Sequence, residues 1–180
     1  MRVLSLCGTP LFRLTSLTLQ AGVYRDELNP DNPLGMHGQI ADAFGSTIEH
    51  LWAPNSPNSS FSPRQLKITT SRFAPQFAGY GQHDTQEFIA FLLDGLHEDM
   101  NRIKKKPYIE KPDWKPGGGD IELAELGREC WEGYKKRNDS VIVDLFQGQL
   151  RSTLVCPECH KVGDHLDASR FMLRHTCRNR

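Results

Sequence analysis

The segment from residue 84 to residue 103 constrains the fold more than any other part of the sequence. Its apolar residues recur at helical intervals: Phe88, Phe91, Leu92, Gly95, Leu96 and Ile103. This spacing predicts an amphipathic helix with one face in the core. Asp84, followed three residues later by Glu87, is typical of a capping box. A solvated, exposed helix end is predicted at Glu98, Asp99, Arg102, Lys104, Lys105 and Lys106.

Two other segments also show helical periodicity. Residues 35–53 predict a helix whose inward face carries Met36, Ile40, Phe44, Ile48, Leu51 and Trp52. Residues 120–136 predict a third helix, in which Cys130 is a small buried side chain. Between these helices, residues 53–65 are rich in Pro, Ser and Asn and predict a surface loop. Residues 107–119 contain three prolines and a glycine triplet, which predict a flexible connection.

The segment 140–155 is rich in β-branched residues and interrupted at Gly148, which predicts two strands of a hairpin. It leads into Cys156 and Cys159, a C-x2-C element whose spacing suits two thiolate ligands of a structural zinc ion. One such pair is half of a site. The other ligands are open among His160, His165, His175 and Cys177. Two unliganded thiols or a redox dithiol are the alternatives.

Charge and cysteine content limit the classes of function. Twenty-two basic and 22 acidic side chains leave no net charge, so neither a nucleic acid nor an acidic membrane is an expected partner. Five cysteines with one close pair do not predict a secreted disulfide framework, and a cytoplasmic or nuclear protein is expected. The first twenty residues superficially suggest a targeting peptide. However, Arg13 interrupts their apolar run, and no stretch reaches the roughly 20 apolar residues of a membrane helix.

A distinctive constellation surrounds the start of the helix at residue 84. The segment Phe73-Ala-Pro-Gln-Phe77 precedes the run Tyr80-Gly-Gln-His-Asp-Thr-Gln-Glu87. This run resembles the Gln-Gln-Asp box of the ubiquitin-specific proteases, which are papain-like cysteine deubiquitinases, with His83 replacing one glutamine. Other segments agree with the family in the same order, and they begin at Tyr24, Asn32, Lys106 and Arg137. The resemblance covers residues 24–162.

The resemblance implies an α+β fold, namely an incomplete papain-like core with thumb helices and the start of a β fingers region. The helix after Asp84 would lie in the thumb, and Cys156 and Cys159 would form a zinc knuckle at the tip of the fingers. The implied partner is ubiquitin or a ubiquitinated protein. Gln82 and Asp84 match box positions that hold the C-terminal tail of ubiquitin. For Asp84, a purely structural role as a helix cap is the alternative.

The family cleaves ubiquitin conjugates by thiolate attack on the carbonyl of ubiquitin's terminal glycine, with a histidine as base. Its cysteine and Gly-His-Tyr boxes have no counterpart in the sequence, so no residue is assigned a catalytic role. Cys7 matches the family's second, non-catalytic cysteine. The sequence therefore predicts a divergent segment (1–23), a partial catalytic domain (24–162) and a divergent tail (163–180). We expect a fragment of a thiol-dependent deubiquitinase that is inactive as it stands. The alternatives are a non-catalytic ubiquitin-binding module and a non-functional fragment that folds poorly.

Overall fold

The computed structural model describes residues 22–52, 60–110, 120–155, 157–159 and 162–170. Within them, helices precede a two-stranded sheet, and the predicted α+β class is confirmed. The elements in chain order are a 3-10 helix (Val23–Glu27), α1 (Gln39–Trp52), α2 (Arg64–Phe73), a second 3-10 helix (Pro75–Phe77), α3 (Thr85–Asp99), α4 (Asp120–Lys135), α5 (Val141–Phe146), β1 (Gln147–Val155) and β2 (Val162–Arg170).

Helix α3 supplies the centre of the hydrophobic core, as its apolar periodicity predicts. Leu96 is fully buried and packs in one cluster with Ile40 of α1 and Ile142 of α5. Tyr24, from the first 3-10 helix, belongs to the same cluster. Burial of side chains of this size stabilises a fold by about 1.5–3 kcal/mol each. The core therefore joins segments that are up to 122 residues apart, since it contains both Tyr24 and Phe146.

Helix α1 is shorter than predicted, and its last turn does not face the core. It begins at Gln39 rather than near residue 35. Ile40 and Ile48 are buried, but Leu51 and Trp52 are 56% and 38% exposed. The prediction that Leu51 and Trp52 pack inward is therefore wrong. The cause is that the last turn of α1 extends beyond the core cluster, which reaches Ile48.

The end of α3 differs from the sequence prediction more than any other part of the fold. The helix ends at Asp99, so the predicted continuation to residue 103, including the basic run at 104–106, lies outside it. Asp99 is fully buried rather than exposed. Its carboxylate accepts hydrogen bonds from the backbone amides of Met36 (2.6 Å), Ile40 (3.1 Å) and Ala41 (3.2 Å). The carboxylate therefore caps the first turn of α1, whose amides lack partners inside the helix.

The predicted hairpin within residues 140–155 is also wrong. Residues Val141–Phe146 form α5, because the Ser140 hydroxyl caps the helix by accepting from the Val143 amide at 3.3 Å. Strand β1 then pairs in antiparallel register with β2, from Gln147 opposite Arg170 to Val155 opposite Val162. The second strand thus follows the C-x2-C element instead of preceding it. The predicted domain boundaries at residues 23/24 and 162/163 stay predictions.

Helix α4 confirms the third predicted helix, whereas α2 was not predicted. The first residue of α2, Arg64, lies within the predicted loop 53–65. Residues 53–59 of that loop fall outside the described part. Residues 111–119 of the predicted flexible connection also fall outside it. In the part of the chain that the structure covers, no helix is long and apolar enough to cross a bilayer.

Candidate functional site

The run 80–87 forms a loop that leads into α3. The loop follows Gly79, whose φ of 79° is in the left-handed region that favours glycine. Asp84 is the N-cap of α3, and its Oδ1 accepts from the Gln86 amide at 2.7 Å. Gln82 and Asp84 are both exposed. The structure therefore places both predicted tail-binding residues at the solvent-facing start of one helix.

An aromatic cluster centred on Phe77 supports this loop. Phe77 is only 9% exposed. Its ring makes edge-to-face contacts with His83 and Phe88, each with a centroid distance of 5.5 Å, and Phe91 lies at 5.8 Å. Edge-to-face contacts of this kind contribute about 0.5–1.5 kcal/mol each beyond the area they bury. Phe77 thus fixes His83, between Gln82 and Asp84, to the first turns of α3.

A cavity of about 420 Å³ lies between α2 and this loop. Its walls combine apolar and polar side chains, which are Pro63, Leu66, Lys67, Thr70, Phe77, Tyr80, His83, Asp84, Thr85 and Phe88, together with Gly79 and Gly81. The volume is in the range of cavities that accept a ligand or part of one. Asp84 therefore lies at the border of a concave surface.

A Ser–His–Asn constellation occurs elsewhere, but its geometry is structural. His97 Nδ1 is 2.7 Å from Ser140 Oγ, and its Nε2 is 3.3 Å from Asn138 Oδ1. A nucleophilic serine needs access to its substrate, whereas His97 and Ser140 are 2% and 0% exposed. Ser140 Oγ also caps α5. We therefore assign these residues to holding α5 against α3.

Polar side chains also fasten the segment before α1 to the end of α3. Asn29 Nδ2 donates to the Asn101 carbonyl at 2.9 Å, and Asn32 Nδ2 donates to the Glu98 carboxylate at 2.8 Å. Burial tends to raise the pKa of Glu98. The hydrogen bonds from Lys106 and Asn32 and the charge of Lys106 outweigh burial, so this pKa lies below its usual value. Glu98 is therefore held ionised as part of the connection.

The C-x2-C element is described only in part. Cys156 lies outside the described residues, and Cys159 is an exposed thiol in the turn at residues 157–159. His165 lies on β2 opposite Ser152. The other candidate ligands, His160, His175 and Cys177, are outside the described part. Among the described residues, no group of three or more His, Cys, Asp or Glu side chains could hold a metal ion. The zinc half-site stays a prediction.

The family model described as "Ubiquitin carboxyl-terminal hydrolase" matches residues 3–176. The chain belongs to the ubiquitin carboxyl-terminal hydrolase family. The resemblance to ubiquitin-specific proteases is confirmed, and the described helices and sheet are an incomplete α+β core of that family.

Several plant and vertebrate members of the ubiquitin carboxyl-terminal hydrolase family are similar to the chain. It is 53% identical over 149 residues to putative ubiquitin carboxyl-terminal hydrolase 11 of Arabidopsis thaliana, a match that covers 83% of the chain and 16% of the relative. It is 54% identical to ubiquitin carboxyl-terminal hydrolase 15 of Xenopus tropicalis and 53% identical to ubiquitin carboxyl-terminal hydrolase 4 of Pongo abelii. Each of these two matches covers 80% of the chain and 14% of the relative. The chain therefore spans between about one-seventh and one-sixth of the length of these relatives.

Sequence reasoning missed the contribution of α2 to the site. Leu66, Lys67 and Thr70 of this helix line the cavity beside the loop 80–87. The sequence signal was present, since Leu66, Thr70 and Phe73 recur at i, i+4 and i+7. It was obscured by the β-branched run at residues 68–70, which is typical of strands, and by the preceding Pro- and Ser-rich segment.

Proposed function

We propose that the chain is the tail-binding part of a ubiquitin-specific cysteine protease that removes ubiquitin from protein conjugates. The carrying observation is the solvent-facing start of α3, where Gln82 and Asp84 are both exposed and Asp84 borders a concave surface. Membership in the hydrolase family supports ubiquitin as the ligand. The proposal assigns binding and orientation of the tail to this chain. It assigns the cleavage chemistry to a cysteine and a histidine that we do not place among its residues.

The side chains at this surface suit an extended peptide with basic residues. The Asp84 carboxylate can accept hydrogen bonds from backbone amides or guanidinium groups of the ubiquitin tail, and such charge-assisted bonds are the strong ones. Gln82 offers both a donor and an acceptor for the tail backbone. The helix cap leaves Asp84 Oδ2 available for such a bond, because the Gln86 amide is bound by Oδ1.

Titration of labelled ubiquitin with the 180-residue chain tests this proposal. We expect saturable binding that Asp84→Asn weakens about tenfold, because it removes the charge from the hydrogen bond. Asparagine caps helices as well as aspartate does, so the thermal stability of this variant should be unchanged. Gln82→Ala should also weaken binding, whereas Gln76→Ala, another exposed glutamine, should not. Ubiquitin without its C-terminal tail is the matched ligand control. Equal affinity for intact and shortened ubiquitin would contradict the proposal.

We also propose that Cys156 and Cys159 are two ligands of a structural zinc ion, with reduced thiols as expected in the cytoplasm or nucleus. The exposed position of Cys159 after β1 supports this, because thiolates at such a turn can reach a shared metal. Zinc titration with a chromogenic chelator should show weak binding that Cys156→Ser or Cys159→Ser removes. Cys130→Ser, in α4, should leave it unchanged. Equal zinc binding in all variants would refute the assignment.

A further inference from the structure

The loop that carries Gln82 has few connections to the rest of the fold. Within the described residues, the backbone of positions 79–83 makes no hydrogen bond. The flanking bonds are Ala78 N to Pro75 O on one side and the Asp84 cap on the other. A Cβ added at Gly79 would meet no atom within 4 Å, so this side of the loop faces open space. The position of the loop therefore depends on side-chain contacts at its two ends.

One of these contacts is the packing of His83 on Phe77, and the other comes from α2. Lys67 Nζ lies 3.7 Å from the centroid of the Tyr80 ring, well within the range of a cation–π interaction. The Tyr80 side chain is 99% exposed, so burial does not fix it. Lys67 is exposed as well and has no ion pair in the described part of the chain. The ammonium group is thus available to hold the ring.

We infer that Lys67 and Tyr80 are positioning residues for tail binding. Their cation–π contact fixes the loop 79–83 against α2 and thereby sets the place of Gln82 relative to Asp84. The inference rests on the proposed function, and it adds a role for α2, which lies outside the family box. Neither side chain needs to touch ubiquitin. If both act through one contact, removing either should have the same effect as removing both.

Ubiquitin titration with single and double variants measures this coupling. We expect Lys67→Met and Tyr80→Ala each to weaken binding about two- to fivefold, the range for an exposed cation–π contact. The double variant should bind like either single variant. Tyr80→Phe and Lys67→Arg should bind like the parent, because each keeps a π face or a cation. Additive losses, or no loss in the single variants, would overturn the inference.

An NMR measurement tests the contact without ubiquitin. The Lys67 ε-methylene protons should be shifted upfield by the Tyr80 ring, and the shift should disappear in Tyr80→Ala and persist in Tyr80→Phe. An unshifted Lys67 signal in the parent chain overturns the inference whatever the binding data show. Parent-chain binding that Asp84→Asn weakens and Lys67→Met does not would overturn the inference and leave the proposed function intact. Absence of tail-dependent binding would contradict both.

Discussion

Asp99→Ala is expected to lower the free energy of unfolding by about 3–5 kcal/mol, because each backbone donor left unsatisfied in the interior costs about 1–3 kcal/mol. The wild-type carboxylate accepts from the amides of Met36, Ile40 and Ala41 and is fully buried. Alanine leaves these three donors without their partner in a place that water does not reach. Urea unfolding followed by circular dichroism at neutral pH measures the loss.

Two other variants separate this effect from a general loss of negative charge. Asp31→Ala removes an exposed aspartate from the same segment of the chain and should change stability by less than about 0.5 kcal/mol. Asp99→Asn should give an intermediate loss of stability. Its side-chain oxygen can still accept a hydrogen bond, but its NH2 group is a donor and cannot accept from the backbone amides. If the free energy of unfolding of Asp99→Ala is within about 1 kcal/mol of that of the parent, the cap contributes far less than its geometry indicates.

Gly45→Ala is expected to destabilise the chain by about 2–3 kcal/mol, the cost of forcing atoms into a packed core. The same change at an open helical position would stabilise by about 1 kcal/mol. The difference arises because the ring of Tyr24, which is fully buried, lies on the α1 backbone at Gly45. A Cβ there would be no more than 2.7 Å from Cζ, Oη and Cε1 of that ring.

A double-mutant cycle with Tyr24→Ala tests this explanation. Tyr24→Ala alone should be strongly destabilising because it empties the space of a buried aromatic ring. In that background Gly45→Ala should cost little or even stabilise, since the clash is gone. The same cost of Gly45→Ala in both backgrounds would show that Tyr24 is not the reason for glycine at this position.

The sequence predicted the elements whose information is local. The apolar period of α3 and α4 repeats over four turns, and the Asp84 cap follows from the residue itself. Prediction from the sequence failed for short segments whose residues favour different secondary structures. Val141–Phe146 reads as a strand from its β-branched residues, but one hydroxyl from Ser140 and burial of Ile142 and Val143 make it a helix. Tertiary packing overrides weak intrinsic preferences of this kind.

The candidate site also contains residues that the sequence predicted and contacts that only the structure shows. The resemblance of the run 80–87 to the Gln-Gln-Asp box made Gln82 and Asp84 candidates without any structure, because motif residues keep their order along the chain. The supporting contacts, Lys67 with Tyr80 and Phe77 with His83, depend on how α2 and the second 3-10 helix are oriented beside the loop. No periodicity or motif encodes that orientation.

The sequence by itself thus determined the family, the start of α3 and the helical character of the segments around it. Only the tertiary structure decided that Asp99 is a buried cap rather than an exposed charge, and that the Tyr24 ring packs directly on the backbone at Gly45. The physical reason is distance along the chain. Asp99 meets its partners 58 to 63 residues away, and such pairings are set by the packing of whole helices.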